Sequence, residues 1–142
     1  MSTRKPIFLA LALLLLSPAL GAAQELRLAN LRPMGLVQVE VYADAASWQR
    51  GREPAQRHRL PARDVSQVLK LEGLPPGRYA IRAWQPALAA SQPPLLPMGL
   101  AMPRRGYSRL PLAHRAPPSF DSAAVELGEG RRLLLRLNPV NE

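Results

Sequence analysis

The sequence predicts an all-β protein, a single antiparallel β-sandwich of about seven strands, transthyretin-like or immunoglobulin-like, with one long proline-rich loop. Short segments alternate apolar and polar residues with a period of two, the mark of strands that bury one face. Turn residues separate these segments, and none carries the three-and-four spacing of an amphipathic helix. Eight prolines, at 86, 93, 94, 97, 103, 111, 117 and 118, crowd one stretch. Proline has no amide hydrogen to give to a helix or a sheet ladder, so residues 86–118 read as loop.

The first 23 residues stand apart from this pattern. Arg4 and Lys5 precede the apolar run Ile7 to Leu16, Pro18 breaks it, and the small residues Gly21, Ala22 and Ala23 follow. That order is the layout of a secretory signal peptide, and the run is too short for the ~20 apolar residues of a membrane-spanning helix. Gly21 and Ala23 place small side chains where a signal peptidase admits them, so cleavage is expected after Ala23. Residues 24–142 then form a single β-sandwich domain without a transmembrane anchor, exported to the periplasm or secreted.

In chain order, Leu26 and Leu28 alternate with Glu25 and Arg27, and Val37, Val39 and Val41 alternate with Gln38 and Glu40. Pro33 and Gly35 lie between them, so the two segments read as a first hairpin. Residues 43–63 read as a long connection with Trp48 near its start. Leu69 and Leu71 oppose Lys70; after Pro75, Pro76 and Gly77, Tyr79, Ile81 and Ala83 point inward and Arg78, Arg82 and Trp84 outward, which reads as a second hairpin. Val125 and Leu127, then Leu133, Leu135 and Leu137, flank Gly128 and Gly130 and read as a third.

Charge and composition narrow the function. The chain carries 19 basic and 10 acidic residues and no cysteine, which excludes disulfides, thiolate metal sites and thiol catalysis. Loss of Arg4 and Lys5 with the leader leaves 17 basic residues against 10 acidic ones, a net +7, and all but Lys70 of the remaining cations are arginine. Guanidinium groups hold carboxylates and phosphates through paired hydrogen bonds. An exported chain meets anionic glycans, lipid headgroups and envelope proteins rather than nucleic acid. His58 and His114 both sit in arginine- and proline-containing stretches and read as solvated loop residues. Neither stands at catalytic or metal-ligand spacing, so no enzyme, metal or other cofactor is expected.

The segment 71–84, "LEGLPPGRYAIRAW", resembles the strand–turn–strand of transthyretin-like and carboxypeptidase-regulatory-like sandwiches. Together with "VEVYADAASW" at 39–48, "GYS" at 106–108 and "PPSFDSAAVEL" at 117–127, it resembles the small exported bacterial proteins of domain-of-unknown-function family 2141. The resemblance implies a sandwich with an aromatic at Trp48 and no established activity. Members commonly continue from the tyrosine strand into an acidic loop beginning His-Asp that suits a divalent cation. Here Gln85 and Pro86 stand at those positions, and no acidic residue follows before Asp121. Calcium takes six to eight oxygen ligands, several of them charged, so this chain is expected to lack a cation site in that loop.

The candidate ligand-binding residues are Arg78, Arg82 and Trp84 on the outward side of one strand, and Arg104, Arg105, Tyr107 and Arg109 in "PRRGYSR". Trp84 reads either as an exposed stacking platform or as a side chain covered by the proline-rich loop. Arg132 and Arg136 also point outward, and whether they adjoin Arg78 and Arg82 depends on strand order. Two functions follow: binding of an anionic envelope component through the arginine surface, or docking of "PPLLP" at 93–97 on a protein partner as an accessory or assembly component. Intact-mass measurement of the exported protein should place the N-terminus within a residue or two of Gln24. Retention of the run from Ile7 to Leu16 would overturn the expectation of export by cleavage.

Overall fold

The computed structural model describes residues 24–88, 102–110 and 117–140. Nine strands form two sheets: β1 (Gln24–Ala29), β2 (Leu36–Tyr42), β3 (Gln56–Pro61), β4 (Ser66–Leu71), β5 (Gly77–Gln85), β6 (Arg104–Tyr107), β7 (Val125–Leu127), β8 (Arg132–Arg136) and β9 (Asn138–Pro139). A three-stranded sheet has the order β4-β1-β8, and a six-stranded sheet the order β3-β2-β5-β6-β9, with β7 also paired to β5. The β-sandwich expected from the sequence is therefore the fold. Its helices are short: α1 (Ala45–Arg50) and α2 (Phe120–Ala123).

The alternating residues meet between the sheets. Leu26, Leu28, Val37, Val39, Val41, Leu71, Tyr79, Ile81, Ala83, Leu127, Leu135 and Leu137 form one buried cluster. Within each strand these are the residues the period of two assigned to the core.

The pairing differs from the hairpin reading at all three places. β1 pairs with β4 and β8, whereas β2 pairs with β3 and β5. β4 and β5 lie in different sheets, and β7 pairs with β5 while β8 pairs with β1. Each short turn carries the chain across the core instead of back along the same sheet. A period of two identifies the face that is buried, and two strands facing each other across a sandwich satisfy it as well as two neighbours in one sheet. The β1–β8 pair is moreover parallel, so the sandwich is antiparallel in every other pairing but not in this one.

The turn "GLPPG" holds its crossing through two local features. Gly73 takes a φ of 80°, a left-handed conformation that glycine adopts without steric cost. Tyr79 is buried, and its hydroxyl donates to the carbonyl of Pro75 at 2.7 Å, which ties the turn to the strand it introduces.

Residues 43–63, expected to be a connection, hold α1 and β3. Asp44 caps α1 by accepting from the Ser47 amide at 2.8 Å, and Gly51 ends it at a φ of 64°. β3 escaped detection because only His58, Leu60 and Gln56 alternate with its exposed arginines, and an edge strand needs little apolar surface. The proline-rich stretch likewise contributes β6, which pairs with β5 from Arg82↔Tyr107 to Gln85↔Arg104.

Gly106 sits where β6 comes closest to β8. A Cβ there would collide with the Arg136 carbonyl and stand 2.7 Å from Leu135 Cδ2. Gly106→Ala should therefore destabilise the protein by about 2 kcal/mol, the usual range for overpacking a core. Urea denaturation measures it, and an unchanged midpoint would mean that β8 yields freely.

Candidate functional site: an arginine–aromatic face

The strand registers place outward side chains in rows across the six-stranded sheet. One row runs Arg59, Gln38, Trp84, Arg105 and Asn138, and the next runs Arg57, Glu40, Arg82 and Tyr107. Beyond them, Tyr42 and Ala80 lie beneath the two helices in a second buried cluster with Trp48, Tyr107, Phe120, Ala123 and Ala124. One end of the outer face is thus roofed and the other is open.

Trp48 fastens the roof. It meets Tyr42 edge to face at a centroid distance of 5.4 Å and Tyr107 at 6.0 Å, while its indole nitrogen donates to the Pro118 carbonyl at 2.6 Å. These contacts give the buried aromatic a polar partner, as a buried indole requires.

Glu40 organises the open half. Its side chain is only 4% exposed and accepts from Tyr42 Oη at 2.7 Å, Arg57 Nε at 2.8 Å, and Arg82 Nε and Nη2 at 2.9 and 2.6 Å. Burial alone pushes the carboxyl upward, but the hydrogen bonds from Tyr42, Arg82 and Arg57, with the charge of Arg82, outweigh it and hold Glu40 below the ordinary carboxylate value. Tyr42 is pushed up to about 12, by burial first and then by its bond to Glu40.

Arg82 is consequently fixed between two rings, with its Cζ 5.2 Å from the Tyr42 centroid and 5.1 Å from that of Trp84. A cleft of about 300 Å³ opens beside it, lined by Arg82, Ala83, Trp84, Arg105, Tyr107 and Pro117. That volume is at the small end of ligand pockets. Trp84 is half-buried on its rim, and Pro117 from the proline-rich stretch forms one wall. Among the described residues the lining contains no carboxylate or imidazole.

Four of the seven residues singled out by sequence meet here: Arg82, Trp84, Arg105 and Tyr107. Arg104 does not. It alternates with Arg105, is buried, and donates to the Asn30 carbonyl at 2.6 Å. Arg32, also buried, donates to the carbonyls of Met102 at 3.2 Å and Pro86 at 2.6 Å. Burial lowers the pKa of both guanidinium groups, and for Arg32 the charge of Arg104 adds to the effect. Gln85, at the position where the family's acidic loop begins, is fully buried and exchanges two hydrogen bonds with the Arg32 backbone, at 2.7 and 2.9 Å.

Arg78 and Arg109 lie at the other end of β5, in a separate crevice with Arg131 and Glu126. Arg78 pairs with the exposed Asp121 at 3.0 Å, and Arg109, at a φ of 69°, donates to the Ala124 carbonyl. Arg132 and Arg136 belong to β8 in the other sheet, whereas Arg78 and Arg82 lie on β5. Reading the sequence alone missed Arg57 and Arg59, because β3 had not been recognised. His58, between them, contacts Gln56 at 3.0 Å. His114 and the "PPLLP" stretch lie outside the described residues. Among the described residues no group of three or more His, Cys, Asp or Glu could hold a metal ion.

Glu40 links this face to pH. Its folded pKa is depressed, so its stabilising contribution is complete above the ordinary value of 4.5 and is lost as pH falls through the lower folded value. Tyr42 has the opposite sign: its contribution is complete below 10 and is lost as pH rises toward 12. Glu40→Gln should flatten the acid limb of melting temperature against pH. Glu40→Ala should cost about 3 kcal/mol at neutral pH by stranding Arg82 and Tyr42. An acid limb identical in wild type and Glu40→Gln would remove Glu40 from this role.

No curated protein and no solved structure matches the chain. A family model described as "Uncharacterized protein conserved in bacteria (DUF2141)" matches residues 30–133, from the residue after β1 to the second residue of β8. That span contains the whole arginine–aromatic face apart from Asn138, and the chain belongs to the DUF2141 family.

Proposed function

We propose that this is an exported, non-catalytic sandwich that recognises an anionic envelope glycan on the open half of its six-stranded sheet. The observation that carries the reading is the stacked pair Arg82–Trp84 on the wall of a cleft with a second arginine, Arg105, in its lining. An indole face packs against the C–H face of a sugar ring, and guanidinium groups beside it bind carboxylate or sulfate substituents. Among the described residues, Arg57, Arg59, Arg82 and Arg105 lie on this face around the carboxylate of Glu40. They lie one to three strand spacings apart, about 5–15 Å, close enough for their fields to overlap at physiological salt.

The non-catalytic reading draws support from the described part of the lining, where Arg82, Trp84, Arg105 and Tyr107 supply the polar groups. Burial raises the Tyr107 phenol above its ordinary value. The reading is tested by Trp fluorescence titration with polygalacturonate, alginate and dextran sulfate, with neutral dextran as control. Binding should respond to the anionic polymers alone and weaken steeply with salt. Trp84→Ala should lose at least tenfold in affinity, and Arg59→Gln a few-fold. Absence of binding to all three polyanions in low-salt buffer, or full binding by Trp84→Ala, would overturn it.

A further inference from the structure

The opposite face of the molecule carries a different chemistry. In the three-stranded sheet, the rows of outward residues are Lys70–Glu25–Arg132, Val68–Arg27–Leu134 and Ser66–Ala29–Arg136. Four large apolar side chains are exposed among the described residues, and two of them, Leu134 at 64% and Val68 at 43%, flank Arg27 in the middle row. A third, Val65, stands at the head of β4. In the three rows lie Arg27, Lys70, Arg132 and Arg136 with the carboxylate of Glu25, and Asp64 stands beside Val65. Glu25 reaches Arg132 at 3.7 Å with both groups exposed, which neutralises little.

From this arrangement we infer that the outer face of the three-stranded sheet docks on an anionic phospholipid bilayer. Exposed aliphatic side chains enter the boundary between headgroups and acyl chains, while a ring of cations meets the negative surface. Arg27 fits both demands: the register sets it between Val68 and Leu134, and its exposed guanidinium donates to the Ser66 hydroxyl at 3.3 Å. A second copy of the chain fits this surface poorly. Antiparallel pairing of β8 about Leu134 would set Arg132 against Arg136, and face-to-face packing would oppose two sets of four cations. A hydrated polysaccharide leaves Leu134 and Val68 without a partner. An anionic bilayer satisfies both the apolar and the cationic residues.

The test is sedimentation with vesicles of phosphatidylglycerol and phosphatidylethanolamine, and with vesicles of phosphatidylcholine alone. All variants are expressed from the full 142-residue chain, so the N-terminal segment, cleaved or not, is common to each. Wild type should partition onto the anionic vesicles and not onto the zwitterionic ones. The double variant Val68→Ser, Leu134→Ser should lose at least tenfold in partition, the scale of one buried leucine side chain. Arg27→Gln with Arg136→Gln should lose roughly fivefold per cation removed. Each of these residues is exposed, so melting temperatures should not move. Trp84→Ala should bind vesicles as wild type does, which separates this face from the glycan cleft, and millimolar glycerol phosphate should not compete. The inference fails if the serine variant binds fully, if both vesicle types bind equally or neither binds, or if sedimentation velocity finds a dimer that the serine variant abolishes.

Discussion

Glu40 is the only acidic residue among the described buried side chains, and the open half of the six-stranded sheet is arranged around it. A carboxylate removed from water is costly unless its oxygens are filled by strong donors. Here four donor groups from Tyr42, Arg57 and Arg82 fill them, and those residues come from β2, β3 and β5. One charge therefore sets the lateral position of three strands. It also removes the freedom of Arg82, whose guanidinium is left stacked between the Tyr42 and Trp84 rings. A flexible arginine loses considerable rotamer entropy when it meets a ligand; this one has already lost it on folding. The cleft beside Trp84 is preorganised for that reason.

Buried charge serves a second purpose where β5 ends at Gln85. Arg32 and Arg104 spend their donors on main-chain carbonyls of Pro86, Met102 and Asn30. Asn30 occupies the left-handed region at a φ of 62°, and its amide donates to the Leu137 carbonyl at 2.7 Å. These contacts collect the end of β1, the start of β6 and the residue after β8 at one corner. Carbonyls in irregular backbone must be satisfied when water is excluded, and a guanidinium with five donors satisfies several of them from one side chain. Arginine is abundant here partly because it seals such corners, where it is not available to any ligand.

The core faces were legible in the sequence because burial and polarity alternate with the pleat. Tyr79, Ile81 and Ala83 point inward and Trp84 outward, as their positions require. Partnership was not legible. The residues between Ala29 and Leu36, between Leu71 and Gly77 and between Leu127 and Arg132 carry ordinary turn chemistry, yet each crosses the core. What decides this lies far away in sequence: β1 takes β4 and β8 as neighbours, and β5 takes β2 and β6. The site was half legible for the same reason. Arg82 with Trp84 could be picked out by strand alternation, and Arg105 with Tyr107 by the composition of "PRRGYSR". Their meeting is a property of the β5–β6 register, and the contribution of Arg57 and Arg59 depends on an edge strand with too little apolar surface to announce itself. Arg104 shows the converse: adjacent to Arg105 and chemically identical, it points the other way.

The excess of arginine consequently does not act as one field. Sheets packed about 10 Å apart present their outer faces in opposite directions, and at physiological ionic strength charges separated by the full thickness of the sandwich are screened from each other. Arg57, Arg59, Arg82 and Arg105 form one set, organised by a buried carboxylate and accompanied by aromatic rings. Arg27, Lys70, Arg132 and Arg136 form another, accompanied by exposed aliphatic side chains and by a carboxylate that water screens. Arg78, Arg109 and Arg131 mark a third place, where Asp121 and Glu126 offset them. The same side-chain chemistry is set among different neighbours: rings beside the first suit the proposed glycan, and aliphatic groups beside the second suit the proposed lipid surface. Strand order is what separates them. Had β8 been a neighbour of β5, as a single run of hairpins would allow, Arg136 would have joined Arg82, and the two faces would have merged into one basic surface with neither preference.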